Sequence, residues 1–272
     1  MPHDIDLPQS VADGMSYPLA YTESGSGAPL LLIHGSLCDY RYWRWQIPAF
    51  GQAYRTLAPS LRGYWPAAFR SERADFDVLV QTRDLIEFLD HTSPDGTPVH
   101  VLGHSRGARV ALELACAAPE KVRTLTLADP GFSPVGQAGP VPFQIEAARR
   151  LSDGDTDGAL EVFIDTVSGS DTWRHMVGWF KAMVRDNAGT LLSQIKERHH
   201  EFDMARAGAI SCPTLLLTGS DSPARFGRVL ASLEQVLPHV EKTTIPLASH
   251  GMNLANPRVF NQHVLGFLGS HS

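Results

Sequence analysis

A chain of 272 residues that is 43% hydrophobic and 19% charged can bury a sizeable core, which excludes a disordered polymer and suits one elaborated α/β domain or two small ones. Its 23 Lys and Arg are scattered among 29 Asp and Glu for a net charge of −6, so there is no basic stripe and no nucleic acid is expected as a partner. Cys38, Cys116 and Cys212 are too dispersed for a disulfide scaffold, no run reaches membrane-spanning length, and residues 1–13 carry Asp4, Asp6 and prolines where a secretory leader is basic and then apolar; a cytoplasmic protein with no membrane association is expected.

Strand-like runs come first at 17–22 and 30–33, joined by the turn Gly25-Ser26-Gly27, and then at 54–58. A helical pattern over 76–91 precedes a strand at 99–102, a helix at 105–118 and a strand at 122–128. From 130 to 209 the strand pattern lapses. Pro130, Gly131, Pro134, Gly136, Gly139, Pro140 and Pro142 lead into helical pieces at 143–151, 157–167, 171–185 and 190–198. Strands at 214–218 and 241–245 then alternate with helices at 225–237 and 258–268. Such alternation predicts an α/β fold, a mostly parallel twisted sheet with helices on both faces. The expected organisation is a core of residues 1–129 and 210–272, with residues 130–209 inserted as a helical lid over the carboxyl edge of the sheet, where sites in such folds lie.

One junction carries chemistry. Gly103-His104-Ser105-Arg106-Gly107 joins the strand at 99–102 to the helix that follows, the arrangement of a nucleophile elbow. A serine at so sharp a turn takes a strained backbone, and glycines two residues to either side remove the side chains that would collide. Ser105 is thereby lifted toward solvent. The N–H of Arg106 opens the next helix, where unpaired donors and the positive end of the dipole favour a developing oxyanion.

Further motifs follow the same order as in a known superfamily: Ile33-His34-Gly35-Ser36, then Pro59-Ser60-Leu61-Arg62-Gly63-Tyr64, the elbow, and Ala248-Ser249-His250-Gly251 with Asn256-Pro257. Nearly end to end, the chain resembles the α/β-hydrolase superfamily, in its lid-bearing, serine-nucleophile branch of small esterases, lactonases, carbon–carbon bond hydrolases and haloperoxidase-like enzymes. The resemblance implies an eight-stranded sheet, Ser105 as nucleophile, and an oxyanion hole from the N–H groups of Ser36 and Arg106. It implies no cofactor and no metal. Of twelve histidines, His250 is expected as the base, because it follows the last strand and comes late in the order serine, acid, histidine. His34 reads as a structural brace of its loop.

The acid is left with two candidates. In most relatives it stands three residues after the glycine ending the seventh strand, which here is Ser222, counted from Gly219; Asp221 is one residue early. Some members place it directly after the sixth strand, where this chain has Asp129, the favoured candidate. Leu37, Tyr64, Trp65, Trp173 and Trp179 are expected around a substrate pocket. Arg41, Arg44 and Arg106 are candidates for binding an acidic substrate, though an arginine after the nucleophile more often pairs locally. His199 and His200 beside Glu201 and Asp203 read as a solvated face, since neighbours on a helix diverge by about 100°. The expected reaction is acyl transfer from a small ester, lactone or related carbonyl substrate to water. Its rivals are hydrolysis of a carbon–carbon bond in a diketone-type substrate, and a slow-turnover ligand receptor on the same fold. Oligomeric state has no signal in the sequence.

Overall fold

The computed structural model describes residues 7–67, 77–133, 142–199 and 201–272. Eight strands form one sheet: β1 (Ser10–Val11), β2 (Ala20–Ser24), β3 (Pro29–Ile33), β4 (Arg55–Pro59), β5 (Val99–His104), β6 (Val122–Ala128), β7 (Thr214–Gly219) and β8 (Val240–Ile245), in the order β1-β2-β4-β3-β5-β6-β7-β8. The β1–β2 and β2–β4 pairs are antiparallel and the rest parallel. The helices with the largest parts in the packing are α1 (Val78–Thr92), α2 (Arg106–Ala117), α3 (Pro142–Ser152), α4 (Thr156–Ser168), α5 (Gly178–Asp186), α6 (Ala224–Val236) and α7 (Pro257–Ser270).

The central strands are apolar runs because both of their faces are covered. β3, Pro-Leu-Leu-Leu-Ile, is buried at every position. Its residues alternate between two cores: Leu30 and Leu32 join Phe260, Val264 and Leu268 of α7, whereas Leu31 and Ile33 join Leu85 and Phe88 of α1 and Leu230 of α6. β8 differs in being an edge, and its exposed Glu241 and Lys242 deter pairing with another chain. Asp77 starts α1 by accepting a hydrogen bond from the Val80 N–H at 2.9 Å.

Several boundaries differ from the sequence pattern. The first predicted strand is shifted to Ala20–Ser24, because it pairs with β4 from Tyr21 opposite Pro59 to Ser24 opposite Thr56. β1 is two exposed residues long and leaves no periodicity to read. The helix predicted over 171–185 is broken, since Met176 and Val177 are extended (ψ 139° and 151°) between Thr172–His175 and α5. That break folds Lys181 and Arg185 back over the Trp173 ring, 5.0 and 5.4 Å from its centre. Between β6 and β7 the regular elements among the described residues are all helical, and α3, α4 and α5 contribute to the same apolar cluster as α7. No helix among the described residues is long and apolar enough to cross a membrane.

Candidate active site

Strand register brings the chemistry together. His104 pairs with Ala128 and Ala128 with Leu217, so Ser105 and Asp129 leave adjacent strands side by side at the carboxyl edge. Gly219 pairs with Ile245, which sets the turn after β7 beside the loop carrying His250.

Ser105 sits between β5 and α2 with φ 55° and ψ −121°, a left-handed conformation that non-glycine residues rarely adopt. Its surroundings explain the glycines. A Cβ on Gly107 would lie 2.3 Å from the carbonyl oxygens of Ile33 and His34, and one on Gly103 would lie 2.4 Å from the Gly107 oxygen. Only bare backbone lets α2 start this close to β3. A Cβ on Gly35 would meet the Ser105 Cβ at 3.0 Å, which puts the turn carrying Ser36 against the elbow.

The imidazole of His250 spans the gap between hydroxyl and carboxylate. Its Nε2 is 3.0 Å from Ser105 Oγ and its Nδ1 is 3.1 Å from Asp129 Oδ2. Asp129 is wholly buried with φ 42°, and its N–H donates to the Leu217 carbonyl at 2.9 Å. Ser222 Oγ donates to the same Oδ2 at 2.6 Å while accepting from the Gly219 N–H at 3.1 Å. The other carboxylate oxygen, Oδ1, is buried without a hydrogen-bond partner. Asp221 is exposed; its backbone N–H braces the His250 loop through the Ala248 carbonyl at 2.9 Å.

Two aromatic rings pack against His250. Phe226, in the first turn of α6, stacks on it at 4.0 Å with an interplanar angle of 9°, and His104 lies 4.6 Å away. His104 Nε2 donates to the His250 carbonyl at 2.8 Å. Burial, and then the nearby charge of His250, drives the His104 pKa well down, so that ring is a neutral brace. His34 is a second one: Nδ1 donates to the Gly35 carbonyl and Nε2 accepts from the Leu61 N–H, both at 2.9 Å, and burial lowers its pKa to about 3.

A cavity of about 290 Å³ opens on Ser105, Ser36 and Arg106, with Phe143, Phe163 and Phe226 among its apolar walls. Leu37, Tyr64, Trp65, Trp173 and Trp179 do not line it. Leu37 and Tyr64 are buried in the two cores, Trp65 lies under the Arg41 guanidinium at 3.8 Å, and Trp179 under that of Arg44 at 4.4 Å. Aromatic residues that looked free to line a pocket are thus occupied by packing and by cations. Arg41 is likewise taken, by Asp39 at 2.7 Å and Asp186 at 2.9 Å. The Arg106 side chain forks onto Glu197 and also reaches Gln81, leaving its backbone N–H at the elbow. Ser36 Oγ donates to Gln194 Oε1 at 2.7 Å, and Gln194 Nε2 donates to the Tyr64 hydroxyl at 3.0 Å, tying the cavity wall to the helical segment.

Phe226, Gln194 and Glu197 carry no signal in the sequence, whereas Ser222 is marked there only as the occupant of the position where most relatives carry the acid, and its bond to Asp129 is visible only in the structure. Among the described residues no group of three or more His, Cys, Asp or Glu is placed to hold a metal ion, and His200 lies outside those residues.

Comparison with known proteins agrees with this architecture. The dihydrolipoyllysine-residue acetyltransferase component of the acetoin cleaving system of Pseudomonas putida is 27% identical over 252 residues, 90% of this chain and 64% of that protein. A soluble epoxide hydrolase of Corynebacterium sp. is 32% identical over 144 residues, 52% of this chain and 48% of the relative, so the chain spans about half to two thirds of the length of these relatives. A thermophilic esterase from Thermogutta terrifontis superimposes with a TM-score of 0.80 over 98% of this chain and all of its own, at 19% identity, a likeness of fold. Residues 30–263, the stretch holding every strand from β4 to β8, the elbow and the His250 loop, match the alpha/beta hydrolase family, and the chain belongs to it.

Proposed function

We propose that the protein is a serine hydrolase that cleaves a small ester, lactone or related carbonyl substrate through an acyl-enzyme. The observation that carries this reading is the unbroken relay from Ser105 Oγ through His250 to Asp129, at 3.0 and 3.1 Å. His250 Nε2 takes the Ser105 proton as Oγ attacks the carbonyl carbon, and Asp129 holds the tautomer with its proton on Nδ1 and stabilises the imidazolium. The N–H groups of Ser36 and Arg106 receive the oxyanion, each worth about 3 kcal/mol of barrier. The imidazolium then protonates the leaving group, its bond to the acyl carbon breaks, and water repeats the sequence to free the acid and restore Ser105.

The likeness to an epoxide hydrolase does not carry its chemistry over. The alkyl-enzyme route of epoxide hydrolases and dehalogenases requires a carboxylate nucleophile, and position 105 is a serine. Steady release of 4-nitrophenol from short 4-nitrophenyl esters tests the reading: turnover by the wild type and its loss in Ser105→Ala are expected. Tight ligand binding with negligible turnover would instead favour a receptor.

A further inference from the structure

The cavity beside Ser105 has an uneven charge distribution. Its wall from α2 presents Arg106, neutralised by Glu197, and Arg109, whose Nη2 donates to Glu113 at 2.7 Å. Its wall from α6 presents Arg225 and Arg228, and among the described residues neither has a carboxylate within 4.0 Å. Four arginines and two carboxylates, Glu197 and Glu201, line the cavity, and Glu113 behind Arg109 is shared with Arg206 at 2.7 Å.

Arg225 is the more telling of the two. It is half-buried, its guanidinium lies 5.0 Å from the Phe143 ring and 4.9 Å from the Phe226 ring, and its one hydrogen bond given by the described residues runs from Nη2 to the Thr166 carbonyl at 2.8 Å. Burial and then Arg228 weaken its hold on its proton. A planar fork of donors fixed between two rings, short of an anion and one residue from the ring that stacks on His250, is suited to a carboxylate. We infer that Arg225, reinforced by Arg228, forms a carboxylate-binding subsite, so that the substrate is an anionic ester or related carbonyl compound with a carboxylate on its acyl or leaving group. A monoanion suits this wall better than a phosphate dianion, because Glu201 also lines the cavity and opposes a second negative charge.

The substrate class deepens the serine-hydrolase reading and rests on it, so the test separates the two. Rates are compared for mono-4-nitrophenyl adipate and its uncharged counterpart 4-nitrophenyl hexanoate, each corrected for spontaneous hydrolysis. The ratio of kcat/KM, anionic over neutral, is expected to exceed one in the wild type and to fall at least tenfold in the double variant Arg225→Gln, Arg228→Gln. Arg225→Lys should keep most of the ratio. An unchanged ratio overturns the subsite while leaving Ser105 as nucleophile. Independently of turnover, calorimetric titration of adipate into Ser105→Ala should give an affinity at least tenfold weaker once Arg225→Gln is added. Equal affinity, or no binding to either protein, overturns the subsite; failure of the wild type to turn over either ester overturns the acyl-enzyme reading, with the adipate titration still deciding the subsite.

Discussion

Ser222 Oγ and His250 Nδ1 meet at one atom, the Oδ2 of Asp129, at 2.6 and 3.1 Å. The turn after β7 thus supplies a hydroxyl that aims the carboxylate brought in from the end of β6. If Asp129 orients the imidazole, Asp129→Asn lowers kcat by about four orders of magnitude, as loss of the correct tautomer does in such relays. Ser222→Ala removes one charge-assisted hydrogen bond of about 1.5–3 kcal/mol and lowers kcat by about one to two orders of magnitude. Asp221→Ala, at an exposed side chain, changes kcat less than twofold. Steady-state kinetics on one ester checks all three, and a large loss confined to Asp221→Ala would reverse the assignment.

Phe226 restrains the imidazole by stacking at 4.0 Å. Phe226→Ala forfeits about 0.5–1.5 kcal/mol of aromatic contact and frees the ring, so kcat falls about three- to tenfold, and Phe226→Tyr retains most of the rate. Equal rates in all three proteins would mean that the loop alone positions His250.

The elbow glycines bear on folding before they bear on rate. A Cβ at Gly107 would sit 2.3 Å from two carbonyl oxygens that have no freedom to move. Gly107→Ala is expected to cost about 3 kcal/mol in urea unfolding, at the upper end for overpacking, whereas Gly227→Ala, in open space on α6, should be neutral or stabilising.

Stability should fall on mild acidification. Burial lowers the pKa of His34 to about 3 and that of His100 to about 4, and holds His104 well below its ordinary value near 6.5. Between pH 6.5 and about 4 the unfolded chain binds protons at these positions and the folded chain does not, so stability rises with pH there and is fully present above 6.5. Each histidine contributes a slope of about 1.4 kcal/mol per pH unit well below its unfolded pKa. Urea titrations at pH 7.5, 6 and 5 measure it, and a flat profile would contradict the neutral, buried state of the three rings.

How far the sequence reached depended on what local sterics encode. The elbow was legible because its spacing is a collision rule: Gly103 and Gly107 stand where any side chain would strike backbone 2.4 or 2.3 Å away. The His250 loop was legible from its place after the last strand. The choice between Asp129 and Asp221 was only partly legible: the sequence favours Asp129, but either lies next to a strand end, and strand register, a φ of 42° and complete burial are what bring Asp129 to the ring. Least legible was the cavity. Its walls depend on how α3, α4 and α6 lie over the sheet, and sequence marks an aromatic residue without saying whether an arginine already covers its face, as Arg41 does for Trp65 and Arg44 for Trp179.

The account turns on the Ser105 hydroxyl being activated by His250. Intact-mass spectrometry after treatment with a fluorophosphonate measures this most directly. One adduct per chain, mapped to Ser105, absent in Ser105→Ala and formed at least a hundredfold more slowly in His250→Ala, is the predicted result. Labelling of Ser105→Ala at the wild-type rate, or of His250→Ala as fast as the wild type, would contradict it.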